Sequence, residues 1–301
     1  MRQKIGERAA WLVVALGKSV CYLVLFLGMQ ALVMMPLMLA SSVLGGMGEA
    51  ERAAELYEMM YEHAMLFSAL SGLLTIAAVL LIYLIRRKKL GDALWLRRVE
   101  GPGLMSGVAL APALYLIITL VMSALPEEWL ESYGEASSSI GTGGLIGVAA
   151  TVLVAPVVEE LIFRGLMMTR LSQAVPGWLA AVLSAAIFGV CHGHPVWFAY
   201  TFVIGLLFGL IDLRLGSIWP SILAHVAFNA IGELHSLLPE TEEGTEILIF
   251  LGALAAAGIL APLICHRSIA ALFRPRPEGA AAPACELPTA PETYDFDPWE
   301  E

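Results

Sequence analysis

The chain has 301 residues, of which 58% are hydrophobic and 15% charged, and its formal net charge is −10. A soluble domain carries roughly 25% charged residues and needs a polar coat, so this composition excludes a soluble globular fold and indicates a membrane protein. The four cysteines are scattered without a CxxC pair, which argues against a disulfide framework or a cysteine-based zinc site.

Apolar runs follow one another along the chain, each long enough to cross a bilayer core as a helix. They cover residues 19–41, 64–85, 103–124, 143–171, 177–193, 195–214, 217–236 and 246–265. The first run is longer than the apolar region of a typical signal peptide and lacks a clear cleavage site, so we expect it to be retained as an anchor. The runs predict an all-α membrane protein, an eight-transmembrane-helix bundle.

The charges between these runs predict the orientation of the chain. If the N-terminus is cytoplasmic, the inner segments collect nearly all of the Lys and Arg residues, including the run Arg86–Lys89. The outer loops then hold Arg52 as their one basic residue and are rich in glutamate. An excess of basic residues marks cytoplasmic loops, so both termini are predicted to be cytoplasmic.

Four segments are predicted. Residues 1–142 hold transmembrane helices one to three, 143–236 hold helices four to seven with the site, and 237–273 hold the last transmembrane helix. Residues 274–301 form an acidic cytoplasmic tail with too few apolar residues to fold, so we expect it to be disordered. No strong internal repeat is visible, and a transporter built from inverted repeats therefore has no support.

Three of the predicted spans carry polar side chains at membrane depth, where ionisable groups are costly and usually functional. These are, in chain order, Glu159, Glu160 and Arg164 in the fourth span, His192 at the end of the fifth, and His225 and Asn229 in the seventh. At about 1.5 Å of rise per residue, the groups on the three helices fall at similar depths. Their placement predicts one shared intramembrane polar site.

Helical spacing separates the roles within the fourth span. Glu160 and Arg164 are four residues apart and share a helix face, which predicts a supporting ion pair. Glu159 points about 100° away from Glu160 on an ideal helix and is assigned to the chemistry. Phe188 lies one turn before His192 and is predicted to line the site.

Two kinds of chemistry are open to these residues. A glutamate shielded from water can act as a general base on a water molecule, and His192 can orient that water or protonate the leaving amine. His225 and Asn229 can then supply donors to an oxyanion. Alternatively, Glu159, His192 and His225 could bind Zn²⁺, although the compact HExxH form is absent and the sequence alone implies no metal.

Other polar and small residues of the spans have structural interpretations. Asp212 and Arg214 are predicted to cap and anchor the inner end of the sixth span, and His194 to lie in a loop or at the interface. Gly205 and Gly209 form a GxxxG pattern, which predicts close helix packing inside the monomer. The polar set itself could also be a buried ion network with interhelical hydrogen bonds and no catalytic role.

Three segments together resemble a known family. Glu159–Arg164 (EELIFR), Phe188–His192 (FGVCH) and His225–Asn229 (HVAFN) are similar to the EExxxR, FxxxH and HxxxN motifs of the CAAX protease and bacteriocin-processing family, also called Abi. The order and separations of the motifs are similar, as is the stretch Leu213–His225. The resemblance spans about residues 143–236.

The resemblance implies an eight-helix intramembrane endopeptidase of the CAAX prenyl protease-like type, with a site open to the cytoplasmic side and the membrane. It implies that Glu159 activates water with His192 as its partner, and that His225 and Asn229 stabilise the oxyanion. Glu160 and Arg164 would support the site. In this family the chemistry is glutamate-dependent or metal-dependent, and zinc is the cofactor that has been proposed.

The expected partners follow from the same resemblance. We expect membrane lipid, a peptide or protein substrate that is lipidated or unlipidated, and no nucleic acid. The expected location is a bacterial plasma membrane. Two alternatives stay open, namely a non-catalytic membrane scaffold or bacteriocin self-immunity protein, and a proton-coupled transporter.

Overall fold

The computed structural model describes residues 2–87, 91, 94–138 and 144–236. Helices and turns make up these ranges, which contain no strand, so the predicted all-α class is confirmed for them. The helices are α1 (Arg2–Gly46), α2 (Ala50–Glu62), α3 (Ala64–Ile85), α4 (Gly101–Ser123), α5 (Glu127–Ser138), α6 (Gly144–Leu171), α7 (Gly177–Val190), α8 (Pro195–Leu215) and α9 (Trp219–Ser236).

The number of membrane-spanning helices differs from the prediction. Among the described residues there are nine helices, and five of them, α1, α3, α4, α6 and α8, are long and apolar enough to cross a membrane. Helix α7 is apolar but has 14 residues. The predicted span 246–265 and the tail 274–301 lie outside the described residues. The chain is an integral multi-pass membrane protein, but the count of eight spanning helices is not confirmed.

Two short helices occupy segments that the sequence predicts as acidic outer loops. Helix α2 has 13 residues and α5 has 12, and both begin with glutamates in or beside their first turn. Negative side chains there favour the helix because they oppose the positive end of the helix dipole. Both helices are too short and too polar to cross a bilayer. They therefore add to the helix count without adding membrane spans.

Two contacts between distant segments agree with the predicted alternation of sides. The Ile218 N–H donates to the Trp95 carbonyl oxygen at 3.1 Å, so the segment after α3 lies beside the turn between α8 and α9. The Ser132 hydroxyl lies 3.1 Å from His194 Nε2, so α5 lies beside the turn between α7 and α8. In both cases the paired segments are predicted to lie on the same side of the membrane.

Helix α6 departs from regular α-helical geometry at the residues of interest. Two stretches, Ala150–Val154 and Glu160–Met168, are π-helical and lie on either side of Pro156. Proline has no N–H to donate, so the regular hydrogen-bond ladder cannot continue through it. Such wide turns are rare and are found frequently at functional sites. They also make ideal helical spacing only a first guide to the directions of Glu159 and Glu160.

Helix α7 ends three residues earlier than predicted, at Val190 rather than at residue 193. Gly193 has a φ of +73°, which a residue without a Cβ adopts readily. His194 is extended, with φ −129° and ψ 138°, as expected for the residue before Pro195. His192 therefore lies in the turn between α7 and α8 instead of on the helix.

The GxxxG pattern of α8 faces the interior, as predicted. A Cβ added to Gly209 would lie 3.2 Å from the Ala181 Cβ and 3.1 Å from the Met168 sulfur. A Cβ added to Gly205 would lie 2.7 Å from a terminal nitrogen of Arg164. The two glycines thus allow α8 to pack closely on α6 and α7 within the monomer.

Gly107 on α4 provides a test of this packing arrangement. A Cβ at this position would collide with the carbonyl oxygen of Pro220 at the start of α9 and would lie 3.2 Å from the Ala224 Cβ. Backbone atoms cannot rotate away, so we expect Gly107→Ala to lower the free energy of unfolding by about 1–3 kcal/mol. Thermal unfolding in detergent measures the change.

Gly28→Ala on α1 is the matched control for Gly107→Ala, because nothing lies within 4 Å of its added Cβ. Alanine is a better helix former than glycine, so this variant should be as stable as the parent protein or more stable. Equal stability of the two variants would contradict the close approach of α4 and α9.

Candidate active site

An ion pair is buried at the centre of the described helices. The Arg164 guanidinium lies 3.1 Å from Glu160 Oε1, and both side chains are 0% exposed. The guanidinium carbon also lies 4.5 Å from the centroid of the Phe188 ring, in a cation–π arrangement. The i,i+4 pair expected from the sequence is thus formed, and Phe188 packs on it from α7.

His225 on α9 connects the two glutamates of α6. Its Nδ1 lies 2.9 Å from Glu160 Oε1, and its Nε2 lies 3.7 Å from Glu159 Oε2. Because an ionised carboxylate only accepts, Nδ1 carries the hydrogen in the contact with Glu160. The Phe188 ring meets the imidazole edge-on at 6.0 Å between centroids, and the Phe208 ring lies tilted against it at 5.8 Å. Glu160 therefore fixes the ring so that Nε2 faces Glu159.

His192 is oriented by the end of its own helix. Its Nδ1 donates to the Phe188 carbonyl oxygen at 2.8 Å, since a carbonyl can only accept. The Phe188 ring meets the imidazole edge-on at 4.7 Å between centroids. The bond at Nδ1 leaves Nε2 available for a proton or for a hydrogen bond to another molecule.

Glu159 and His192 line the same cavity. Its volume is about 260 Å³, and its walls are Phe26, Gln30, Ser68, Glu159, Phe163, Phe188, Cys191, His192 and Trp197. Water occupies about 30 Å³ per molecule in the liquid, so the cavity has room for several waters or for part of a substrate. Among the described residues no ion pair joins these two side chains directly.

Asn229 is placed differently from the other site residues. Its Nδ2 donates to the backbone carbonyl oxygen of Thr151 at 2.9 Å, in the first π-helical stretch of α6. An amide has two N–H groups, so one remains for another acceptor. This bond ties α9 to α6 one turn beyond His225.

The predicted residues are therefore brought together only in part. Glu159, Glu160, Arg164 and His225 form one contact network, with Phe188 against it, whereas His192 meets Glu159 across the cavity. Within the described residues, no group of three His, Cys, Asp or Glu side chains is placed to hold a metal ion. Glu159, His192 and His225 do not converge as three zinc ligands in this arrangement, and we derive no chemical step through zinc.

Asp212 is a residue that the sequence prediction placed wrongly. Its side chain is 0% exposed, and neither carboxyl oxygen has a hydrogen-bond partner in the described part of the chain. It lies beside Ser221 and within electrostatic range of Glu160 and Arg164. A buried carboxyl cannot anchor a helix end in the headgroup region, so Asp212 belongs to the buried polar cluster that includes Glu160 and Arg164.

The sequence analysis also missed Gln30 and Thr151 as residues of the site, although a polar residue inside an apolar run could have indicated Gln30. Gln30, which lines the cavity from α1, is the one carboxamide in the predicted first span. Asp212 carried the same signal as Glu159, an acid inside an apolar run. Thr151 takes part through its backbone carbonyl, which no side-chain pattern reports.

The helices and the site together define a class of protein, namely multi-pass membrane proteins with a buried glutamate–histidine site between helices. Comparison with known proteins is consistent with this class. Residues 141–231 match the family model described as "Type II CAAX prenyl endopeptidase Rce1-like", and the matched segment contains all three motifs. Residues 141–231 are therefore similar to a domain of the membrane endopeptidase family that the three motifs resemble.

Part of the chain is also similar to a curated protein. The chain is 25% identical over 111 residues to a Bacillus subtilis protein named "Putative membrane peptidase YdiL", an alignment that covers 36% of this chain and 46% of the relative. The matched part thus spans less than half of the relative's length. No solved structure matches the chain significantly.

Proposed function

We propose that this protein is an intramembrane endopeptidase that hydrolyses a peptide bond by glutamate-dependent activation of water. The observation that carries the proposal is the cavity of about 260 Å³ that Glu159 and His192 share inside the helices. A base, a second proton-transfer group and space for water and substrate are the parts that hydrolysis needs. The family of the matched segment supports the same reaction class.

In the proposed reaction, Glu159 takes a proton from a water molecule in the cavity, and the oxygen of that water attacks the carbonyl carbon of the scissile bond. His192, protonated at both ring nitrogens, orients the water and gives its Nε2 proton to the leaving amine. The proton that Glu159 took from water then passes to His192 Nε2, so both side chains return to their starting states. When the carbon–nitrogen bond breaks, the products are a carboxyl group and an amine. Water supplies all atoms that are added.

The tetrahedral intermediate carries a negative oxygen that needs donors. We propose that His225 and Asn229 supply them, His225 through a protonated Nε2 and Asn229 through its second amide N–H. The Glu160 carboxylate at 2.9 Å from His225 Nδ1 would balance the positive ring. Arg164 balances Glu160 in turn, so the ion pair and Phe188 support the site without contacting the substrate.

The surroundings of the reaction are also proposed. The charge pattern supports a plasma membrane location with both termini cytoplasmic and a site that opens to the cytoplasmic side and the membrane. The substrate is a peptide or protein, lipidated or unlipidated, that enters from the bilayer or from the cytoplasm. Bacterial origin is proposed from the kind of relative that the chain matches.

The test is cleavage of a panel of prenylated and unprenylated peptides by the purified protein, with mass spectrometry of the products. Each peptide is assayed with and without a chelator, and again after zinc is added. We expect cleavage of at least one peptide. If the protein binds peptides without cleaving any of them, the function is that of a scaffold or immunity protein. Loss of cleavage with chelator and recovery with zinc would establish a metal-dependent reaction in place of the proposed one.

His192→Ala should lower kcat by about 10²-fold, because a positioned proton-transfer group is lost. His194→Ala is the matched control, since that imidazole contacts Ser132, the Val196 N–H and the Trp197 ring but does not itself line the cavity. Steady-state kinetics on one cleaved peptide measures both variants. Equal activity of the two variants would remove His192 from the mechanism.

A further inference from the structure

Gln30 contributes to the candidate active site from outside the segment that matches the family. It lies on α1, about 110 residues before the matched residues 141–231, and lines the cavity together with Glu159 and His192. No comparison and no motif assigns a role to this helix. A carboxamide inside a membrane span is costly unless it finds hydrogen bonds.

The position of Gln30 is set by a neighbouring contact on the same helix face. Phe26 lies four residues earlier, is buried, and meets the Phe163 ring of α6 edge-on at 6.0 Å between centroids. Residues four apart on a helix point in similar directions. The Phe26 contact therefore holds α1 against α6 with Gln30 directed toward the cavity.

The hydrogen-bonding capacity of Gln30 is unused within the protein. Its side chain makes no hydrogen bond to another residue of the described part of the chain, and its amide atoms are not sealed from the cavity. A carboxamide offers two N–H donors and one carbonyl acceptor, the same groups that a peptide backbone presents. The remaining wall is largely aromatic, with Phe26, Phe163 and Phe188, and Gln30 is its one carboxamide among the described lining residues.

We propose that Gln30 is a substrate-binding residue whose carboxamide oxygen accepts a hydrogen bond from a backbone N–H of the substrate beside the scissile bond. The proposal rests on the proposed peptidase function and adds α1 to the substrate-binding surface. Backbone recognition of this kind holds an extended peptide across the cavity without selecting its side chains. The aromatic wall is then free to accept an apolar side chain or a lipid chain of the substrate.

Gln30→Leu keeps the size of the side chain and removes its donors and acceptor. A hydrogen bond made equally in the ground state and the transition state affects KM and leaves kcat unchanged. We expect KM for a cleaved unprenylated peptide to rise about fivefold to tenfold with kcat within about twofold. Gln173→Leu is the matched control, because Gln173 lies in the turn after α6, about 20 Å from Glu159, and should leave both constants unchanged.

Backbone N-methylation of the peptide distinguishes a lost hydrogen bond from a packing change. Three peptides, each N-methylated at one position next to the scissile bond, are compared with the parent peptide in both proteins. At one position the difference between parent protein and Gln30→Leu should disappear, since neither complex can form the bond. A difference of the same size for all four peptides would overturn the proposal.

Binding measured without turnover separates this proposal from the proposed function. A fluorescent form of the same peptide is titrated against the Glu159→Gln protein and against the double variant that also carries Gln30→Leu. We expect Kd to rise about fivefold to tenfold in the double variant. An unchanged Kd would refute the role of Gln30, whereas cleavage by the Glu159→Gln protein would instead refute the assigned base.

Discussion

Glu159→Gln is expected to lower kcat for peptide cleavage by about 10⁴-fold while the protein remains folded and inserted. Glutamine has nearly the same shape as glutamate but cannot accept a proton from water. The reaction would then retain the oxyanion donors and the binding surface without its base. Steady-state kinetics and thermal unfolding of the purified variant measure the two parts of this expectation.

The small effect on stability follows from the contacts of Glu159. Its side chain is 22% exposed toward the cavity, and its distance of 3.7 Å to His225 is longer than a hydrogen bond. Little folding energy is therefore stored in its charge. Glu160, which is fully buried and contacts both Arg164 and His225, is the opposite case.

Two controls make the result specific to Glu159. Glu233→Gln applies the same chemical change near the outer end of α9, away from the cavity wall, and should leave kcat unchanged. Glu160→Gln should reduce stability and activity together. If purified Glu159→Gln protein cleaves at the parent rate, water activation by this carboxylate is excluded.

Arg164→Met is expected to lower the free energy of unfolding by about 3–5 kcal/mol, because it leaves a buried carboxylate without its cation. Within the described part of the chain, Arg164 is the guanidinium that contacts Glu160 and lies near Asp212, and all three side chains are 0% exposed. Solvent cannot compensate for the lost charge at this depth. Thermal unfolding in detergent, together with the yield of inserted protein, measures the loss.

A double variant, Glu160→Leu with Arg164→Met, should recover part of this stability. Replacing both members of a buried ion pair with apolar residues is often neutral or stabilising. Recovery stays partial because the cation–π contact of Arg164 with Phe188 is also lost. Activity should remain low, because His225 loses the acceptor at 2.9 Å that orients its ring.

The combination of restored stability and low activity identifies a positioning role for Glu160. If the double variant regains both stability and activity, the ion pair is only structural. If Arg164→Met is as stable as the parent protein, the pair makes no net contribution to folding.

The sequence was sufficient for the membrane class, because apolar runs of bilayer length are a property of composition and order. It also predicted the Glu160–Arg164 pair, since a helical spacing of four residues brings two side chains together without other elements. The resemblance to a peptidase family was carried by three short motifs, each of them weak alone, and residues 141–231 match a model of that family. The ion pair and the motifs depend on local spacing along the chain, and the structure contains the ion pair.

Other features depend on how helices meet, and there the sequence prediction was incomplete or wrong. The loops expected around α2 and α5 are short helices, and His192 lies in a turn because Gly193 and Pro195 end α7 early. Asp212 looked like a helix-end anchor because its burial depends on neighbouring helices. Linear spacing contains no information about which side of a helix another helix covers.

Local order along the chain thus set the helices, their apolar character and the residue types available for chemistry. Packing between helices decided that Glu160 is buried and that Glu159 lines a cavity, because burial comes from residues distant in sequence. It also placed Gln30 of α1 on the cavity wall beside Glu159 and His192. A side chain more than 100 residues from a motif can reach the same space only through tertiary contacts such as that of Phe26 with Phe163.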